Sequence, residues 1–223
     1  MVATTDVALR GAYAPLSRPA RLAYSRSMTE TLEDSALMLR YQDGDVAAFG
    51  VLYKRHNDAL YRYLLRLCKH RDTAEDLYQE VWSKIIKARR RYQPTAKFTT
   101  FLFRVAHNCF IDHVRRNKRH TNEISIDPDA SASTYHSPEQ LTDELIASDR
   151  LDQALADLPL EQRDVVLLFL ETGMSVDRIA HVTGVNRETA KSRLRYATNK
   201  LKAALSNPAA GEGRDADVEE IPK

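Results

Sequence analysis

Three groups of side chains in this sequence have the types and spacing to do chemistry. The first is cationic and helical: Arg187, Glu188, Lys191, Ser192 and Arg195 fall on one face, opposite Ala190 and Leu194. Such groups near the N-terminus of a helix lying in a major groove can reach base edges and phosphates. The ordinary alternative is a helical hairpin with a solvated basic side. The second group mixes cations with rings. Eleven Lys or Arg and a single acid, Asp112, lie between Lys84 and Arg119, interleaved with Tyr92, Phe98, Phe101, Phe103 and Phe110. This mixture suits single-stranded nucleic acid, because cations follow phosphates while rings stack on exposed bases. The alternative keeps Phe101 and Phe110 in a core and leaves the cations to solvate a helix end. The third group is acidic and polar: Asp76, Gln79, Glu80 and Ser83, with Glu75 beside them. Carboxylates at i and i+4 can hold a divalent metal, but no histidine shares the face, and Lys84 and Lys87 follow one turn on. A protein-docking face is the better reading, ahead of a merely solvated one.

The elements that must position these groups are helices. The chain of 223 residues is 43% hydrophobic and 29% charged, with only 7 glycines, far below the usual share, which argues against a turn-rich β fold. Phe49, Leu52, Tyr53, Leu60, Leu64 and Leu67 recur at helical offsets after a break at Gly44-Asp45. A second helix is expected from Asp72 as N-cap, with Glu75 completing a capping box and Leu77, Val81, Trp82, Ile85 and Ile86 as its apolar stripe. After Pro94 a further helix from about Thr99 buries Leu102, Val105, Ala106 and Cys109 and runs out into Arg115–Arg119. A second helical unit follows: Leu151, Leu155 and Leu158 before Pro159, then Val165, Val166, Leu168 and Phe169 up to Gly173. Ser175 is expected to cap the next helix, which carries Val176, Ile179 and Ala180. Gly184 turns the chain and Asn186 caps the last helix, whose stripe is Ala190, Leu194, Ala197 and Leu201. Ser175–Tyr196 is thus a helix-turn-helix pattern.

Net charge of +2 conceals the distribution. Thr121–Ser148 holds six acids and no Lys or Arg, whereas Arg187–Lys202 holds six basic residues and one acid. Two basic blocks separated by an acidic stretch point to two contacts with a polyanion. The longest strongly apolar run, Val165–Leu170, is six residues, where a membrane span needs about 20, so no membrane insertion is expected. Cys68 and Cys109 lie in apolar runs and neither frame a disulfide scaffold nor form a metal cage; a reducing, cytoplasmic compartment is expected. Residues 1–27 and 206–223 read as disordered, with translation starting at Met1 or Met28, and 121–148 reads as a flexible linker.

Asp45–Phe49 with Leu52-Tyr53, Ala74–Trp82, Phe98–Ala106 and Asp112–Arg116 together resemble region 2 of bacterial sigma factors. Leu158–Arg163, Ile179-Ala180, Gly184-Val185 and Thr189–Leu194 resemble their region 4. With only these two regions and a short linker, the chain resembles the extracytoplasmic-function (ECF) group of the sigma-70 family over roughly residues 33–205. It departs from the family pattern at Ala190, at Asn186 and in its leader. The resemblance implies an all-α fold of two small domains, a region 2 helical bundle (33–120) and a region 4 helix-turn-helix (149–205), joined by the linker. It implies no catalytic residue, cofactor or metal. Asp76, Gln79, Glu80 and Ser83 would dock on the clamp helices of the largest subunit of core RNA polymerase. Tyr92, Phe98, Thr99, Thr100, Asn108, His113, Arg115 and Arg116 would open and read the −10 element of promoter DNA. Arg187, Glu188, Lys191, Ser192 and Arg195 would read the −35 element as duplex. An anti-sigma factor is a further partner that the resemblance admits. The rival readings are a helix-turn-helix regulator that never binds polymerase core and a metal-dependent nuclease built on Glu75, Asp76 and Glu80.

Overall fold

The computed structural model describes residues 31–123 and 143–206, with side chains described over 31–119 and 149–206. Within these residues the structure is helical, with no strand. Eight α-helices are described: α1 (Asp34–Gln42), α2 (Val46–Cys68), α3 (Arg71–Ala88), α4 (Phe98–Glu123), α5 (Asp143–Ala156), α6 (Leu160–Thr172), α7 (Val176–Thr183) and α8 (Arg187–Ser206). A 3-10 turn at Arg89–Arg91 follows α3. The chain divides into two compact units, and the boundary, after Arg55, falls inside α2.

In the unit ending at Arg55, Asp45 starts α2 as the sequence break suggests: its Oδ1 accepts the N–H groups of Ala47 and Ala48 at 3.0 and 3.2 Å. Tyr41 stacks on Phe49 with ring centroids 4.7 Å apart, and Arg55 donates to Asp34 at 2.6 Å, tying α1 to α2.

In the unit from His56 onward, α3 packs on α4, while α8 lies against α5, α6 and α7. The α3 stripe of Leu77, Val81, Trp82 and Ile85 is buried as its periodicity predicts, although Ile86 is exposed. Its start differs from the expected one. The helix begins at Arg71 after His70, with no side-chain cap. Glu75 instead bonds Arg71 at 2.9 Å, because the i,i+4 cation is in closer reach than a capping-box partner. Ser175 occupies the N-cap position of α7, yet its hydroxyl makes no cap bond. Phe169 belongs to α6 but stands 45% exposed beside Leu170, since the apolar run is longer than one helix can bury on one side. Helix α4 extends to Glu123 and α5 starts at Asp143, both within the span 121–148 expected as a linker, and residues 124–142 lie outside the described residues. The leader and the tail beyond Ser206 lie outside the described residues.

Cys109 is buried and Cys68 half-buried; both are free. Burial pushes the Cys68 thiol up to about 12 and raises that of Cys109, against the pull of Lys84, whose Nζ lies 3.3 Å from its sulfur. At pH 8 the Cys68 thiolate is then about one part in ten thousand. Iodoacetamide should leave the native chain largely unmodified at that pH and alkylate both cysteines in urea, as counted by mass spectrometry. Rapid modification of Cys68 in the native chain would contradict this packing.

Candidate nucleic-acid interface

The helix-turn-helix is built from local backbone chemistry. Gly184 follows α7 at φ 69°, a left-handed conformation in which a side chain would be strained, and its N–H and that of Val185 both return to the carbonyl of Ala180. Asn186 then caps α8, its Oδ1 accepting the N–H of Thr189 at 2.7 Å, as its position after the turn predicts. With Ile179, Ala180, Val182, Ala190, Ala197 and Leu201 buried, rotation of α8 is fixed by packing. The opposite face presents Arg187, Glu188, Lys191 and Arg195 to solvent, with Ser192 partly exposed. Arg187 is held between Asp177 at 2.8 Å and Glu188 at 3.3 Å, and the Arg195 guanidinium sits 5.1 Å from the Tyr196 ring. Lys191 and Arg195 are thus left pointing outward from a positioned helix start.

The acidic face of α3 is also available. Asp76 and Gln79 are exposed and Glu80 and Ser83 partly so, while Ala74, Leu77 and Val81 hold the other side of the helix in the core. Glu80 pairs with Lys84 at 2.8 Å and lies 3.7 Å from Arg116 of α4. Among the described residues no three His, Cys, Asp or Glu side chains come together in a way that could hold a metal.

The basic, aromatic group separates into two layers. Asn108, Arg115 and Arg116 are exposed and Thr99 and His113 partly so. Tyr92, Phe98 and Thr100, expected at the DNA surface, are instead 6%, 1% and 3% exposed. Tyr92 lies 5.4 Å from Phe101, and Phe98 5.4 Å from His56, in a ring cluster that fixes the start of α4. Burial of aromatic area outweighs exposure wherever the fold offers a hydrophobic neighbour. The alternation of rings with cations did not distinguish an inner ring from an outer one.

A buried polar junction, unmarked in the sequence reading, joins the helices before residue 123 to those after 143. Asp164 of α6 accepts the Tyr63 hydroxyl of α2 at 2.7 Å, and its other oxygen lies 2.8 Å from His107 Nδ1 of α4, at ion-pair range but off hydrogen-bond geometry. Burial first, then the charge of Asp164, raise the Tyr63 phenol well above its usual value, so it remains a donor. Next to Asp164, the Arg163 guanidinium donates to the carbonyls of Leu155, Ala156 and Leu158 at 2.9 Å and of Leu67 at 3.3 Å. Arg62 and Arg66 clamp Glu171 at 2.9 and 2.8 Å. The signal available in sequence was a charged pair, Arg163-Asp164, immediately before a fully apolar run.

Comparison with known proteins gives the arrangement its class. Residues 52–120 match the family model Sigma-70 region 2, and residues 148–201 match Sigma-70, region 4. The chain is 36% identical over 166 residues to the ECF RNA polymerase sigma factor SigL of Mycobacterium tuberculosis, covering 72% of this chain and 90% of that one. It is 33% identical over 167 residues to the ECF RNA polymerase sigma factor SigE of Mycolicibacterium smegmatis, covering 73% of this chain and 65% of the relative. The fold is similar to that of the sigma factor RpoE solved in complex with the anti-sigma factor NepR from Bartonella quintana, with a TM-score of 0.62 at 23% identity over 72% of this chain and 98% of that one. The chain belongs to the ECF group of the sigma-70 family. It is an alternative sigma factor that directs transcription initiation by RNA polymerase. No helix among the described residues is long and apolar enough to cross a membrane.

Proposed function

We propose that the three surfaces divide the labour of initiation. Region 2 comprises α1–α4 and region 4 comprises α5–α8. Asp76, Gln79, Glu80 and Ser83 dock region 2 on the clamp helices of the largest polymerase subunit. Thr99, Asn108, His113, Arg115 and Arg116 contact the −10 element as it melts, while Tyr92, Phe98 and Thr100 act from beneath by holding the start of α4. Arg187, Glu188, Lys191, Ser192 and Arg195 read the −35 element as duplex. The protein works in the cytoplasm and carries no catalytic residue of its own. An anti-sigma factor is a partner by likeness to the relatives solved with one.

The observation that carries this reading is that one chain offers two unlike exposed faces, a cationic helix start behind a helix-turn-helix turn and an acidic, uncharged-polar face on α3. A duplex is read by a helix in a groove; protein docking needs a defined, folded surface. A regulator that never meets polymerase has no use for the second face. Run-off transcription with purified core polymerase tests the whole reading, and Lys191→Ala with Arg195→Ala tests the −35 assignment. Each lost phosphate contact should lower the salt slope of binding by about 0.9, and a lost base contact should cost ~1–3 kcal/mol. Polymerase binding by this variant should be unchanged. Unaltered promoter affinity across a salt titration would move the −35 contact elsewhere.

A further inference from the structure

We infer that Asp177, on the first helix of the helix-turn-helix, is a specificity-determining residue: it holds the Arg187 guanidinium for a guanine edge and denies it to phosphate. The inference deepens the −35 assignment given above and rests on it. The turn at Gly184 brings α8 back across α7, so the side chain of its first residue, Arg187, reaches the first turn of α7. There Arg187 Nε lies 2.8 Å from Asp177 Oδ1, while Nη1 donates to Glu188 Oε1 at 3.3 Å. The two carboxylates bracket the guanidinium from its Nε and Nη1 sides. A guanidinium has five N–H donors in a fixed fork. Both donors of Nη2 and the second of Nη1 therefore stay open, and a terminal pair of this kind is what guanine O6 and N7 accept.

Charge separates the two kinds of contact that an arginine can make with duplex DNA. The Asp177 and Glu188 side chains are 68% and 74% exposed, so both carboxylates stand at the surface that would meet the duplex. One cation between two anions has no net attraction for a phosphate, and the carboxylates repel it. A guanine edge is neutral and is read by hydrogen bonds, so the same bracket leaves that contact intact. Lys191 and Arg195 lie one and two turns further along α8 and are exposed; among the described residues neither has a carboxylate partner. Those two cations hold the backbone, while Arg187 reads a base. Without Asp177 the guanidinium keeps only Glu188 and is released toward the nearest phosphate. An exposed ion pair adds little to stability, so the effect of Asp177 falls on recognition rather than on folding.

The full-length chain assembled with core RNA polymerase selects from a pool of random duplexes, and the enriched upstream sequence gives the base preference at each position. Arg187→Ala should flatten a preference for guanine at one position. Asp177→Asn should flatten the same position, by roughly tenfold in relative affinity, and leave the others as they were. Binding to the unselected pool should instead tighten, with a salt slope steeper by up to about 0.9 as the released Arg187 takes a phosphate. Asp177→Glu should keep the guanine preference. Arg187→Lys should lose it with the salt slope unchanged, since an ammonium lacks the fork. In the Arg187→Ala background, Asp177→Asn should change no preference. A merely structural Asp177 would weaken every position alike and lower Tm. That result overturns the inference, as does an unchanged guanine preference in folded Asp177→Asn, or an Arg187-dependent position that prefers another base. If Arg187→Ala, Lys191→Ala and Arg195→Ala all leave the upstream preference intact, the −35 assignment falls and the role of Asp177 with it. If Arg187→Ala flattens a position that Asp177→Asn does not, the assignment stands and only the role of Asp177 is lost.

Discussion

Asp76→Arg combined with Glu80→Arg should abolish binding to core RNA polymerase while the chain stays folded. Both side chains lie on the solvent side of α3, whose other side is anchored by Leu77, Val81 and Ile85. Surface substitutions away from special features typically change stability by within about 0.5 kcal/mol. Glu80 is not wholly without consequence, because its reversal places a cation beside Lys84 and Arg116. That cost is of the order of an exposed ion pair, up to about 1 kcal/mol. Co-purification with core polymerase should fall to background, with thermal unfolding within a few degrees of wild type. Duplex binding by the −35 face should persist. Retained polymerase binding by a folded double variant would remove the docking assignment.

Arg163→Ala should give the largest loss of stability of any single substitution discussed. The side chain is 7% exposed and its guanidinium serves four backbone carbonyls, those of Leu67, Leu155, Ala156 and Leu158. Three of these close the turn between α5 and α6, and the fourth is near the end of α2. Truncation removes the charged donor from all four carbonyls, although that of Leu155 keeps the N–H of Leu158 and that of Ala156 keeps the Lys69 ammonium, and hydrogen bonds to a charged group are each worth about 1.5–3 kcal/mol. A loss of about 3 kcal/mol or more is expected, which for a chain of this size lowers Tm by roughly 6–12 °C. Arg163→Lys should recover only part of it, since one ammonium cannot reproduce a fork that spans four carbonyls. Calorimetry of the three proteins decides this; equal Tm values for Arg163→Ala and wild type would show that the guanidinium is dispensable.

Much of the architecture was legible because its causes are local. Leucine and alanine spacing named the buried sides of α2, α3 and α8, and Gly184 with Asn186 marked the turn and the cap through backbone conformation and one side-chain acceptor. The exposed basic face of α8 followed from the same periodicity, since burying Ala190 and Ala197 forces Lys191 and Arg195 outward. Where two local solutions had similar energy, the sequence did not discriminate: Asp72 is a good cap, yet the cap position of α3 falls two residues earlier, at His70, and Ser175 caps α7 by position without using its hydroxyl.

What sequence by itself determined was therefore the helix pattern, the two homologous regions and the faces that carry charge. Tertiary structure alone decided which rings are inside. Tyr92 and Phe98 are interleaved with cations in sequence, but they are buried because α4 begins against neighbouring rings, and the Thr100 side chain is buried at the same helix start. It alone decided, too, that Tyr63, His107 and Asp164 meet. Asp164 lies 101 positions from Tyr63, and no periodicity carries information across such a separation. A charge enters a core only where distant groups arrive to solvate it, and that coincidence is a property of the packed chain.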